Sequence, residues 1–257
     1  MRCQRHVPQG LSRLLSALTQ ADAEVVLILA DAGPAAQQFA GSGIRIGYAA
    51  GRQTRQQLFR AGLKLLGRPE ALSQLILCDD SFVALNPTQL LAQTAARAAQ
   101  LDLAALTMLE APEPCLQSYW LSFAGQRAVS SAAFSHWWYT DAGDSDVALT
   151  RHFLGAGYRV GSLLRLDRSE RIVALCRAHA CGALPVASPQ GDTFLLDPAA
   201  AGQLDPTMFA WDRLLAEFGV VALRLVEENP SAVNIVKLRS WIAAAPGVAP
   251  LFETHAC

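Results

Sequence analysis

Two adjacent carboxylates, Asp79 and Asp80, stand directly after the apolar run Leu75-Ile76-Leu77-Cys78 and just before Ser81. Neighbouring carboxylates repel each other and are costly to desolvate, so such a pair at the end of a buried segment asks for a cation. A divalent metal, Mg²⁺ or Mn²⁺, suits it. These hard ions take one or two carboxylates and leave positions for phosphate oxygens of a substrate. Without function, the same residues are an acidic turn capping the next helix. A second acid, Asp31, follows the β-branched run Val25–Ala30. Asp146, Asp144, Glu110 and Glu113 are further carboxylates able to take a proton from a hydroxyl. Asp146 is favoured because it heads a helix, although the helix dipole alone would place a carboxylate there. Arg52 has a guanidinium fork that matches phosphate oxygens, with a solvated loop charge as its plain reading. Cys176, His179 and Cys181 offer metal-ligand types but no partner cluster follows, so packing is the expected role.

Other chemistries find no residues. No Walker motif, G-x-G-x-x-G or G-x-S-x-G is present, nor an H-E-x-x-H. The chain has 257 residues, is 52% hydrophobic and 17% charged, and carries a net charge of −1. That composition supports a large core and excludes a disordered chain or a strongly basic nucleic-acid binder. Almost all the positive charge is arginine, since Lys64 and Lys237 are the only lysines. The six cysteines form no C-x-x-C pair, two lie in or beside apolar segments, and they read as mostly buried thiols of a reducing compartment. No apolar run approaches the roughly 20 residues of a spanning helix, and Arg13 interrupts any signal-peptide core. A cytoplasmic protein is expected.

The elements that must position these acids alternate. Helical spacing covers Gln9–Ala21, Gln56–Leu66 and Pro87–Gln100; strand patterns cover Val25–Ala30, Ile44–Tyr48, Leu75–Cys78 and Leu103–Leu109. This alternation predicts an α/β fold with a mostly parallel sheet flanked by helices. Asp31 and Asp79-Asp80 then lie at carboxyl ends of strands, where such sheets bind ligands. Farther on, Tyr119–Phe123 and Tyr158–Leu166 read as strands and Val147–Leu154 as a helix. Ser131–Tyr139 is aromatic-rich. Gly182–Gly202 reads as a long loop, and Pro206–Glu217, Val220–Glu228 and Ala232–Ala245 as helices. The expected organisation is a domain over 1–180 and a loop plus helical C-terminal extension, 181–257, packed on it.

Several segments together carry a resemblance. Leu75–Phe82 contains Asp79-Asp80-Ser81, where the rhamnan synthesis protein F family has an N-D-S-type strand end. Cys115-Leu-Gln117-Ser118-Tyr119-Trp120-Leu-Ser-Phe123 is similar to the family's H-L-Q-S-Y-F segment, and Phe134-Ser-His-Trp137-Trp138 to its F-x-x-F-W block. Asp146–Tyr158 resembles its acidic-headed helix ending in G-Y. Asp205-Pro206-Thr207-Met208-Phe209-Ala210-Trp211 and Arg224–Pro230 resemble its N-P-T-H-x-x-W and K/R-x-x-L-x-x-N-P elements. The resemblance spans roughly residues 40–235.

The resemblance implies a GT-A-like, Rossmann-like glycosyltransferase that moves a sugar, such as rhamnose, from a nucleotide-diphosphate donor onto a bacterial surface polysaccharide or lipopolysaccharide. It implies a metal-dependent, inverting transfer. Asp79 and Asp80 would hold the metal, with Asp31 and Arg52 on the donor. Gln117, Ser118, Trp137 and Trp138, with Tyr139 beside them, would meet sugar hydroxyls and ring faces. Asp146 and Asp80 would be catalytic. Expected partners are the nucleotide sugar and a glycan or lipid-linked acceptor, with no nucleic acid. A peripheral contact at the inner face of the membrane, or within an assembly complex, goes with them. The chain also departs from the family pattern. Its N-x-G-x-D segment is Ala49-Ala50-Gly51-Arg52-Gln53 here, its first His is Cys115, and the His of N-P-T-H is Met208. The alternative expectation is therefore a catalytically degenerate relative that binds a glycan or a partner enzyme. A nucleotidyltransferase-like enzyme ranks behind both, for want of a Gly/Lys-rich phosphate loop.

Overall fold

The structure is a computed structural model, and it describes residues 9–29, 39, 42–51, 53–140, 143–180 and 198–227. Helix α1 (Gln9–Gln20) leads to the parallel strand pair β1 (Val26–Leu29) and β2 (Arg45–Tyr48). Next come α2 (Arg55–Leu66), β3 (Gln74–Cys78), β4 (Phe82–Ala84), α3 (Pro87–Ala98) and β5 (Leu103–Ala105). A small antiparallel ribbon, β6 (Met108–Leu109) with β7 (Cys115–Leu116), precedes β8 (Trp120–Ala124). Helices α4 (Gln126–Ser130), α5 (Ala132–Tyr139) and α6 (Asp146–Gly155) follow. Then come β9 (Val160–Ser162) and α7 (Arg168–Ala180), and later α8 (Pro206–Phe209), α9 (Trp211–Phe218), β10 (Val220–Ala222) and α10 (Leu223–Glu227).

The architecture is α/β, with a sheet more mixed than expected. The central sheet runs β3-β8-β5-β9. Strand β8 is antiparallel to both β3 and β5, and only β5 and β9 are parallel. The reason lies in residues 106–119. A parallel return needs a crossover, usually a helix. This stretch instead forms the β6–β7 ribbon, which turns the chain back on itself. The segment expected as one strand, Leu103–Leu109, therefore splits into β5 and β6.

Both faces of the sheet are covered, and the side chains divide with the period of two that a strand imposes. Leu75, Leu77, Leu103, Ala105, Leu121 and Phe123 point to one core, with Phe59 and Leu63 of α2, Trp137 and Trp138 of α5 and Phe153 of α6. Ile76, Cys78, Ala104 and Trp120 point to the other, with Leu90 of α3, Leu175 of α7 and Phe209, Trp211 and Phe218 of α8 and α9. Residues 206–218 thus pack on the same core as the sheet.

The C-terminal part differs from its expected helices. After Gly219, Val220–Ala222 pair antiparallel with β4. Gly219 holds φ +65, closes α9, and accepts from Leu85 N at 2.7 Å. A Cβ there would lie 2.5 Å from Asn86 Cβ. The close approach and the left-handed backbone both demand glycine. The pairing clamps the chain just after Asp80, because Leu223 N also donates to Ser81 O at 2.9 Å. The segments 232–245 and 182–197 lie outside the described residues, while 198–202, expected as part of a long loop, form a short helical turn. No helix among the described residues is long and apolar enough to cross a membrane.

Candidate functional site

The antiparallel course of β8 builds the site. Cys78 is opposite Trp120 in the β3–β8 register, and one step farther Asp79 N donates to Tyr119 O at 3.2 Å. The carboxyl end of β3 therefore meets the segment entering β8. Asp79 and Ser118 come within reach of one side chain, Arg55, at the first position of α2. That helix start is fixed by a capping box. Thr54 Oγ1 accepts from Gln57 N at 3.2 Å, and the Gln57 side chain accepts from Thr54 N at 2.9 Å.

Arg55 joins the acids. Its Nε forms an ion pair with Asp79 Oδ2. Its Nη1 donates to Ser118 Oγ at 3.1 Å and lies 3.6 Å from Asp146 Oδ2. Ser118 is fully buried and donates twice to Asp146, from Oγ at 2.5 Å and from its backbone N–H at 3.1 Å. Gln56, 2% exposed, adds its Nε2 to Asp146 Oδ1 at 3.4 Å. Helix α6 is held against β7 by Thr150 Oγ1, which accepts from Leu116 N at 2.8 Å and donates to Asp146 O at 2.7 Å. Asp146 is thus set by α6, β7 and the entry to β8 together.

The two adjacent aspartates have separate environments. Asp79 Oδ1 accepts from Ser81 N at 2.9 Å and Ser81 Oγ at 2.5 Å, while Oδ2 faces Arg55. Burial pushes the Asp79 pKa up, and the Arg55 charge and the Ser81 hydrogen bonds pull against that shift. Asp80 is exposed and has no hydrogen bond or ion pair to a described residue. The next thiol inward, Cys78, is pushed up to about 12 by burial, with the carboxylates of Asp79 and Asp80 adding to the shift.

Beneath Asp79 lies a polar floor. Tyr119, buried, shares a hydrogen bond with Thr107 Oγ1 at 2.8 Å. Thr107 Oγ1 donates to Gln117 Oε1 at 2.5 Å, and Gln117 N donates to Thr107 O at 3.0 Å. Burial is the main cause raising the Tyr119 pKa, and among the lesser causes are the charges of Asp205 and Asp79, which raise it, and Arg55, which lowers it. Asp205 caps α8 by accepting from Thr207 N at 2.9 Å. The acidic strand end, the Gln117-Ser118-Tyr119 segment and the head of α6 therefore converge on one edge of the sheet.

Several expected assignments change. Trp137 and Trp138 are 1% and 0% exposed and pack in T-shaped and tilted contacts with Phe59, Phe123, Phe134 and Phe153. They present no ring face to a sugar; Tyr139, 45% exposed, is the aromatic of that block that reaches the surface. Ser118 cannot meet a sugar hydroxyl either, because it is buried and spent on Asp146. Gln117 keeps its Nε2 without a partner among the described residues. Asp146 accepts at both oxygens, which makes it an anchor for Ser118 and Arg55. Of the other acids, Glu110 pairs with Arg171 and Glu113 with Arg151. Asp144 is exposed and, among the described residues, accepts only from Thr54 Oγ1, at 2.7 Å through Oδ1. Asp31 and Arg52 lie outside the described residues, as do Cys181 and the His179 side chain; Cys176 is exposed on α7.

Arg55, Gln56, Thr107 and Tyr119 are absent from the sequence-based site. For Arg55 the available signal was position: the residue after an N-cap threonine, on the helix whose preceding loop holds Gly51 and Arg52.

The donor set fits a divalent cation at one residue. Asp80 has open carboxylate oxygens at the end of β3. Asp79 has its oxygens taken up by Arg55 and Ser81, so the pair does not present a chelate. Among the described residues no group of three or more His, Cys, Asp or Glu gathers as a metal site. No family model, curated protein or solved structure matches this chain.

Proposed function

We propose that the protein is a glycosyltransferase that takes a sugar from a nucleotide-diphosphate donor and passes it to a surface-glycan or lipid-linked acceptor. The observation that carries this reading is convergence. Three of the segments on which the family resemblance rests, those of Asp79, Ser118 and Asp146, distant in sequence, meet through Arg55 at the carboxyl end of β3, the edge where α/β sheets bind ligands. The aromatic segment, by contrast, supports them from the core.

Asp80 faces the donor phosphates at the strand end. A divalent cation bound there would neutralise charge on the departing diphosphate. Gln117 offers its open amide to a sugar hydroxyl. Asp146 holds Ser118 and Arg55 in place. The acceptor proton goes to Asp144, whose Oδ2 has no partner among the described residues and which lies beside the head of α2. Most of the rate enhancement would come from positioning the reactants and from electrostatics around the diphosphate.

One observation favours a second reading, a degenerate relative that binds a glycan or partner enzyme without transfer. The carboxylate expected to share a metal, Asp79, is tied to Arg55 instead. A panel of nucleotide sugars, with Mn²⁺, separates the readings by thermal shift and donor turnover. Stabilisation by one donor with release of its nucleoside diphosphate supports the transferase. Stabilisation without turnover supports the second reading. No stabilisation by any donor overturns the donor site. Ligand at about 100 times its Kd adds about 2.7 kcal/mol, enough to move the midpoint by a few degrees.

A further inference from the structure

Arg55 is held more firmly than its own neutralisation requires. One guanidinium is bracketed by two carboxylates, Asp79 on Nε and Asp146 near Nη1, with Ser118 Oγ accepting from Nη1. The Asp79 side chain is only 17% exposed. A desolvated carboxylate costs free energy, and its pairing here serves to fix the arginine's orientation. Yet the Arg55 side chain is still 36% exposed, and Nη2 makes no hydrogen bond to a described residue. An arginine fixed along one edge and open along the other has its ordering cost met before a ligand arrives.

The chemistry of the open edge is that of a phosphate clamp. A guanidinium donates directional, charge-assisted hydrogen bonds to phosphate oxygens. Arg55 also begins the 12-residue helix α2, so the positive end of that helix adds to its field. Among the described residues no lysine competes for the role. Lys64 sits in the last turn of the same helix, at its far end. Of the neighbouring arginines, Arg60 donates to Gly143 O at 2.7 Å, and Arg151 pairs with Glu113.

We propose that Arg55 is the diphosphate-binding residue of this site, preset by Asp79 and Asp146, with Nη2 donating to a phosphate oxygen of a nucleoside diphosphate. The proposal rests on the donor-site reading above and adds to it the group that recognises the phosphates. It also gives Asp79 a role as the anchor of Arg55.

The test is calorimetric binding of UDP and dTDP against uridine and thymidine, all with Mn²⁺, on the wild type, Arg55→Gln and Arg55→Lys. The wild type should bind one diphosphate more tightly than its nucleoside. Arg55→Gln should lose about tenfold or more of that preference while nucleoside binding is unchanged, and Arg55→Lys should recover part of it. An undiminished preference in Arg55→Gln overturns the proposal and leaves the donor site standing. Failure of the wild type to bind any nucleoside diphosphate overturns both. A second measurement needs no variant. Phenylglyoxal modification of Arg55, read by mass spectrometry, should be slowed by the bound diphosphate; an unchanged rate at saturation contradicts the assignment.

Discussion

Ser118 holds Asp146 by two hydrogen bonds, 2.5 Å from its hydroxyl and 3.1 Å from its amide. The serine is buried, and the aspartate heads a helix from a different part of the chain. This contact makes the site one rigid unit, since it joins the entry of β8 to α6 and, through Arg55, to the end of β3. Ser118→Ala removes one donor and leaves a half-buried carboxylate short of a partner. The expected loss is about 1–3 kcal/mol of stability, measured by denaturant unfolding. A sugar-binding serine would instead leave stability unchanged and weaken ligand alone.

Asp144 and Asp146 should separate cleanly. Asp144→Asn keeps the Thr54 hydrogen bond and removes the open carboxylate oxygen. Turnover should fall by about 10²-fold or more, with thermal stability and donor affinity nearly unchanged. Asp146→Asn places an amide against the Ser118 donors and should lower the melting midpoint as well as turnover. Unimpaired turnover in Asp144→Asn, with a purely catalytic loss in Asp146→Asn, would return the base to Asp146.

Asp79 sets a pH dependence. Its folded-state pKa is raised, chiefly by burial and against the pull of Arg55 and Ser81, so between the ordinary aspartate value and the raised one the folded protein binds more proton there than the unfolded chain. The contribution is fully present below the ordinary carboxylate range and is lost as pH rises through the folded-state value. Asp79→Asn keeps a neutral group at all pH values. The melting midpoint of the wild type relative to Asp79→Asn should therefore fall as pH climbs from the ordinary aspartate range through the raised value, then level off. A difference that is flat across this range, or rises, would mean that the Arg55 charge and the Ser81 hydrogen bonds outweigh burial at Asp79 and contradicts the raised value.

Gly219 closes the clamp behind Asp80. Gly219→Ala meets both a positive φ and the Asn86 contact, so the cost should exceed the ~1 kcal/mol typical of a misplaced alanine. Chemical unfolding measures it. A neutral result would mean that the β4–β10 pairing does not depend on this turn.

Much of this arrangement is legible from residue patterns. The strand ending at Cys78 announces itself by its unbroken apolar run and its acidic stop, and α1, α2 and α3 by their spacing. Other features depend on pairing, which pattern does not reveal. Nothing local marks β8 as antiparallel, so the meeting of Asp79 with Ser118 is invisible until the register is known. Arg55 at a helix start resembles a solvated charge. Trp137 and Trp138 resemble a sugar platform because aromatic type is visible and burial is not. Two signals were present and decisive. Val220-Val221 after Gly219 are β-branched and form a strand where a helix was expected. Asp167 and Glu170 form a reciprocal cap, with Glu170 N donating to Asp167 Oδ1 and Asp167 N to Glu170 Oε2, each at 2.8 Å, and they open α7, which apolar spacing did not disclose.

The donor site at the end of β3 is tested most directly by calorimetry of nucleotide sugars with Mn²⁺, comparing the wild type with Asp80→Ala. Asp80 is exposed and supports no described neighbour, so its removal leaves the fold intact. The account predicts one nucleotide sugar that binds the wild type in a Mn²⁺-dependent manner and loses about tenfold or more of its affinity in Asp80→Ala. Equal affinity in both proteins, or no binding of any nucleotide sugar, would contradict it.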